Sequence, residues 1–128
     1  MPELPDVTVY VERLQALAGG RVLERIRVAS PFLLRSVDPP LTAVQGRTLQ
    51  TVERLGKRIV MGLDGDLFVV LHLMVAGRIR WKEPGAKIPG RVGVAAFDFP
   101  HGALVLTEAS KKKRASLYLV GGREGLAE

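Results

Sequence analysis

Hydrophobic positions follow one period near the start of the chain and another for nearly everything after it. Val7, Tyr10, Val11, Leu14, Leu17 and Ala18 recur at helical spacing, so a helix with one apolar stripe is predicted over residues 5–18. Pro5 suits a first helical turn, because the N–H that proline lacks has no intrahelical partner there, and Gly19-Gly20 supply a stop. Beyond that point the period shortens to two. Residues 21–28 alternate, with Val22, Ile26 and Val28 on one side, and residues 31–35 are short and apolar. Pro39-Pro40 break the chain, and residues 41–45 read as a helical turn. Strands are predicted at 48–55 and 57–63, then a tight turn at Asp64-Gly65 whose two central positions need positive φ. Further strands follow at 67–75 and 78–81, a loop at 84–90, strands at 92–99 and 103–107 around a turn at 100–102, and a last strand at 117–120 before a polar, glycine-rich tail.

Many short strands at close spacing behind one helix predict a mainly β chain with some α: an antiparallel β-sandwich, or flattened barrel, with an N-terminal helix. The 128 residues suit one compact domain with one core, and no repeat, low-complexity stretch or internal boundary divides them. With 47% hydrophobic and 25% charged residues, the composition is that of a globular chain, not a disordered one. The longest apolar run, 67–76, carries His72 and is too short to cross a bilayer, so no membrane partner is expected. No basic stretch leads into an apolar one at the start, which argues against a secretory signal. The absence of cysteine excludes disulfides and cysteine-bound zinc in this segment and fits a cytoplasmic home. The net charge of +6 is compatible with a polyanionic partner such as nucleic acid and equally with a solvated basic surface.

The first six residues, Met1-Pro2-Glu3-Leu4-Pro5-Asp6, carry the most chemistry. An initiator methionine before a small residue is normally removed, which leaves the Pro2 nitrogen as a free secondary amine. An α-amine titrates near pH ~8, so a useful neutral, nucleophilic fraction exists at neutral pH. Attack on the anomeric carbon of a sugar expels the base and leaves an iminium ion. That ion acidifies the neighbouring carbon and permits strand cleavage by elimination. The neighbouring Glu3 carboxyl is placed to protonate the ring oxygen or to shuttle protons. A helix beginning near residue 5 would turn its positive end to this site, favouring an ionised Glu3 and a neutral amine. The same residues also read as helix-entry punctuation and nothing more.

Three stretches together resemble the formamidopyrimidine-DNA glycosylase and endonuclease VIII family. Pro2-Glu3-Leu4-Pro5-Asp6-Val7 is similar to that family's Pro-Glu-Leu-Pro-Glu-Val start. Leu55-Gly56-Lys57-Arg58, after Gly46-Arg47 and a strand, resembles its Gly-Lys segment, and His72-Leu73-Met74-Val75-Ala76-Gly77-Arg78 its His-Leu-Gly-Met-Ser-Gly stretch. The resemblance implies Pro2 as nucleophile, Glu3 as general acid and Lys57 as a contact to the phosphate beside the lesion. It sets Asp6, Arg58, His72, Met74, Val75, Lys112 and Arg114 among the DNA-binding residues. Asp6 stands for a glutamate, and its carboxylate reaches one methylene less far. The family's methionine wedge, which fills the gap left by a nucleotide rotated out of the duplex, aligns with Val75, while Met74 occupies the usual glycine. Where many members read Asp-Pro-Arg-Arg-Phe-Gly, this chain has Ser110-Lys111-Lys112-Lys113-Arg114-Ala115. Lys112 then stands for an arginine and Arg114 for the aromatic, so phosphate affinity is kept and the stacking plate is lost.

The implied activity is base excision followed by lyase cleavage, through a Schiff base with deoxyribose. The implied partner is double-stranded DNA with a damaged base or abasic site, bound by a monomer in the cytoplasm at the nucleoid. Residues 1–128 are expected to be the N-terminal catalytic domain, with the helix–two-turn–helix and zinc-finger part absent. No cofactor is expected in this segment, since zinc belongs to the missing part, and the domain alone should bind and cleave DNA poorly. Two other readings remain. One is a non-catalytic DNA-binding module derived from this family. The other is a tautomerase using Pro2 as a general base, which leaves the strand-rich pattern and Lys57 without a role.

Overall fold

The computed structural model describes residues 4–31, 33–36, 39–74, 76–109 and 114–122, with side chains from Val7 onward. One helix, α1 (Leu4–Ala18), precedes two antiparallel sheets. The first sheet orders β1 (Val22–Leu23), β3 (Arg47–Leu55), β4 (Arg58–Leu63), β5 (Leu67–His72) and β9 (Ser116–Gly121). The second orders β2 (Arg25–Val28), β7 (Gly93–Phe99), β8 (Gly102–Glu108) and β6 (Gly77–Lys82). Strand alternation sends Ile59, Met61, Val69, Leu71 and Leu117 from one sheet to meet Ile26, Phe97, Leu104 and Leu106 from the other in a single core. The predicted sandwich with its leading helix is the observed architecture.

The helical stripe buries as its spacing requires. Val7, Leu14 and Ala18 are fully covered, with Tyr10 and Val11 packed beside them. The axis of α1 runs antiparallel to β3: the Gly20 N–H donates to the Leu49 carbonyl (2.8 Å) and the Val52 N–H to Oε1 of Gln15 (2.9 Å). Eleven helical residues from Gln15 back to Leu4 span about 16 Å. Four strand residues from Val52 to Gly56 span about 14 Å. The N-terminal end of α1 therefore points to the end of the domain that carries the β3–β4 turn.

Three local predictions change. Residues 21–28 are two strands in two sheets, because the chain crosses the sandwich at Glu24: β1 pairs with β3 and β2 with β7. The crossing shifts the inward set, so Leu23 and Ile26 are buried while Val22 is exposed. The turn after β4 is one residue longer than predicted, since Leu63 pairs with Leu67 and the positive φ values fall at Gly65 and Asp66. The strand expected over 67–75 ends at His72.

The outer face of the second sheet holds an ion cluster. The Asp98 carboxylate, 5% exposed, accepts from Nε of Arg27 (2.7 Å), Nη2 of Arg27 (2.7 Å) and Nε of Arg25 (2.9 Å). Arg27 also donates to the Ala86 carbonyl (2.8 Å), which ties the 83–92 segment down onto the sheet.

Candidate functional site

Lys57 is the second residue of a two-residue turn, with Leu55 and Arg58 as the flanking cross-strand pair. Gly56 has φ +63° and Lys57 does not share the left-handed region, the pattern of a II′ hairpin turn with glycine first. Lys57 thus stands exposed at the tip of a hairpin rather than opening a strand as the sequence predicts. Arg58 opens β4 and pairs across to His72, the last residue of β5. His72 in turn pairs with Ser116, the first residue of β9.

His72 is electrostatically unusual. Its Nε2 is buried without a hydrogen-bond partner among the described residues. Burial holds the imidazole pKa below its ordinary value, and the positive charges of Arg58 and then Lys57 push it the same way. The ring is accordingly neutral near pH 7, with a nitrogen that lacks a partner and two guanidinium or ammonium groups close by. An anion suits such an arrangement, since a hydrogen-bonded phosphate oxygen would satisfy the imidazole beside two positive groups.

The chain reverses immediately after His72. The Gly77 N–H donates to the Leu73 carbonyl (3.1 Å), and a Cβ on Gly77 would lie 2.2 Å from that oxygen, so only glycine fits. Met74, between them, has φ +60°, a conformation that favours glycine and costs another L-residue about 1–2 kcal/mol. Met74→Gly should therefore raise stability by a net 0.5–1 kcal/mol or so, after the extra unfolded-state entropy of glycine, which is about 3 °C or more in thermal midpoint. Met74→Ala keeps the Cβ and should bring no such gain. An equal or lower midpoint for Met74→Gly in thermal unfolding would show that the turn holds no strain.

One residue here escaped the sequence reading. Glu108, the last residue of β8, is 1% exposed. Its carboxylate accepts the backbone N–H of Arg114 (2.9 and 3.1 Å) and of Ala115 (3.1 and 3.2 Å). It pins the backbone at Arg114 and Ala115, where the described chain leads into β9. In the sequence, an acid beside four cations reads as one more solvated charge, and only its backbone partners reveal the burial. Since Glu108 pairs with Gly77 across β6–β8, Arg114 sits beside the turn that carries Met74.

Lys57, Arg58, His72, Met74 and Arg114 thus gather at one end of the sandwich, the end toward which α1 points its N-terminus. Pro2, Glu3, Val75 and Lys112 lie outside the described residues. Asp6 belongs to α1, with its side chain outside the description.

The model of the formamidopyrimidine-DNA glycosylase N-terminal domain matches residues 1–117. The chain belongs to that family. Two formamidopyrimidine-DNA glycosylases illustrate the likeness. That of Phenylobacterium zucineum is 32% identical over 120 residues, which is 92% of this chain and 42% of the relative. That of Mycoplasma genitalium is 30% identical over 105 residues, 80% of this chain and 37% of the relative. The chain therefore spans about two fifths of the length of these glycosylases. Among solved structures, the Lactococcus lactis Fpg complex with abasic-site DNA superposes with a TM-score of 0.87 at 20% identity, over 98% of this chain and 46% of that one. The complex of the same enzyme with oxidized-pyrimidine DNA gives a TM-score of 0.87 at 21% identity, over 98% and 47%. The glycosylase N-terminal fold is thereby shared nearly end to end.

Proposed function

We propose that this chain is the N-terminal domain of a DNA base-excision repair glycosylase with lyase activity. In this reading the free Pro2 nitrogen attacks C1′ of the damaged nucleotide, the base departs, and the resulting Schiff base directs elimination at the abasic site. Glu3 serves as the acid, while Lys57, Arg58 and His72 hold the backbone phosphate beside the lesion. Met74 or Val75 enters the space vacated by the rotated nucleotide, and Lys112 and Arg114 grip the strand opposite. Asp6 joins the DNA-binding residues of this end. The remaining three fifths of a relative's length would supply the opposite wall of the DNA cleft, so the chain alone should act weakly.

The observation that carries this reading is the unpartnered, buried Nε2 of His72 beside Arg58 and Lys57. It lies at the end of the domain toward which α1 directs the segment bearing the family's Pro-Glu start. A cation-flanked neutral imidazole supplies a donor and a positive field, which is what a phosphate requires. The deciding experiment is borohydride trapping of the chain on a duplex with one abasic site. A covalent protein–DNA adduct is expected. Duplex binding without an adduct would leave only a DNA-binding module, and neither adduct nor binding would overturn the reading.

Lys57 offers a second measurement. Its removal should weaken binding to abasic duplex alike in all sequence contexts. It should also reduce the slope of log affinity against log salt by about 0.9, the value for one phosphate contact. A Lys57→Ala variant with an unchanged slope would remove Lys57 from the interface.

A further inference from the structure

Along β6, Arg78, Arg80 and Lys82 alternate with the core-facing Ile79 and Trp81 and so project from the outer face of the second sheet. The 83–92 segment folds back over the same face, where Ala86 and Ile88 pack on Ala96, Ala103 and Val105. Between this segment and β6 runs a groove of about 670 Å³. Arg78, Arg80 and Lys82 form one wall, Lys87 stands on the other, Val105 and Thr107 line the floor, and Glu83 is the single carboxylate lining it among the described residues.

The charge balance on this face is uneven. Asp98 neutralises Arg25 and Arg27 at one edge of the sheet. Arg80, Lys82 and Lys87 form no ion pair among the described residues. The groove opens at Ala76 and Ala109, beside the turn after His72 and next to Glu108, which holds the Arg114 backbone. It is thus continuous with the end of the domain that gathers Lys57, Arg58 and His72. Alternate strand residues stand about 6.7 Å apart, so the Arg78–Lys82 row is about 13 Å long. That length matches roughly four base pairs of one backbone at about 3.4 Å of axial rise per phosphate. A regular, lengthwise row of cations continuous with this end of the domain fits a polyphosphate better than an acidic peptide.

We propose that this groove is a phosphate track for the duplex arm leaving the lesion, bound outside the nucleotides that the catalytic end engages. The proposal rests on the DNA-repair reading above. It makes affinity depend on duplex length as well as on the lesion.

The test uses the full chain and abasic-analogue duplexes closed by hairpin caps, with arms of about four or about twelve base pairs on each side of the lesion. Binding is followed by fluorescence anisotropy over a series of salt concentrations. The comparison is with an Arg80→Gln, Lys82→Gln, Lys87→Gln triple variant, three exposed positions whose replacement should leave the fold and its thermal midpoint unchanged. Wild type should bind the long-armed duplex about tenfold or more tightly than the short-armed one. The triple variant should lose that gain, with a salt slope shallower by about 2 to 3, and should match wild type on the short-armed duplex. A triple variant that keeps the long-arm gain overturns the track. So does a wild type that binds both duplexes equally through Lys57, in which case the repair reading stands alone. Unchanged DNA binding with lost binding of hexaglutamate would assign the groove to an acidic protein and likewise overturn it. A wild type that binds neither duplex sinks the track and the repair reading together.

Discussion

Chains that begin at Pro2 should form a borohydride-trapped adduct with abasic DNA, and chains that keep Met1 should form none. The physical reason is the nitrogen. Once Met1 is removed, Pro2 presents a secondary amine with an available lone pair. With Met1 attached, the same nitrogen is an amide whose lone pair is delocalised into the carbonyl and cannot attack C1′. Retention of Met1 should leave the fold intact, because α1 begins at Leu4 and buries its stripe from Val7 onward. The expected drop in adduct formation is about 1000-fold or more, some 4 kcal/mol of barrier at 1.36 kcal/mol per tenfold. Intact-mass measurement of the protein establishes which start is present, and gel separation after borohydride quantifies the adduct. Equal trapping by Met1-retaining and Met1-free chains would move the nucleophile to another amine.

The second large effect is on stability. Asp98→Ala should cost about 3 kcal/mol, because it leaves the partly covered Arg27 guanidinium without its carboxylate. In a domain of this size that is a fall of about 10 °C in thermal midpoint. Arg25→Ala should cost at most about 1 kcal/mol, since the Arg25 side chain is 58% exposed and its pair is screened by water. The pH dependence follows from the direction of the Asp98 shift. Burial pushes this carboxyl up, but hydrogen bonds from Arg27 and then Arg25, with their charges, outweigh it and hold the pKa below its ordinary value. The unfolded chain therefore takes up the proton first. The stabilisation is complete above the unfolded carboxylate pKa of about 3.9 and disappears as pH falls through the lower folded value. Thermal midpoints of wild type and Asp98→Ala should stay apart from pH 7 down to about 4 and converge below it. Midpoints that remain parallel into the acid range would show that the cluster contributes nothing through its charge.

The features legible in the sequence are those carried by local period. The α1 stripe, the β3–β4 and β7–β8 hairpins and the sandwich class all follow from spacing within a few residues. The crossing at Glu24 was invisible because both sides of it alternate and neither glycine nor proline marks the change of sheet. Met74 was located at a glycine position by its motif, and its left-handed backbone shows why glycine suits that position. The roles of Asp98 and Glu108 depend on what meets them. Arg25 and Arg27 reach Asp98 across 73 and 71 residues of chain. Glu108 is buried by backbone N–H groups six and seven residues away. A carboxylate in sequence carries no sign of such partners. The pairing of Arg58 with His72 likewise needed the β4–β5 register, although each residue belonged to a recognisable motif.

The pairing of β2 with β7 also sets an order in time. Strands β3, β4 and β5 pair with their neighbours in sequence, whereas residues 25–28 have no sheet to join until residues 95–98 exist. Such non-local closure is slow, commonly in the millisecond-to-second range. Helix α1 packs against β3 and β4, a local hairpin that is complete once residues 47–63 have been made, well before β2 finds its partner. The sandwich is thus completed in two stages, the helix-bearing part through local hairpins and the second sheet only when β7 meets β2.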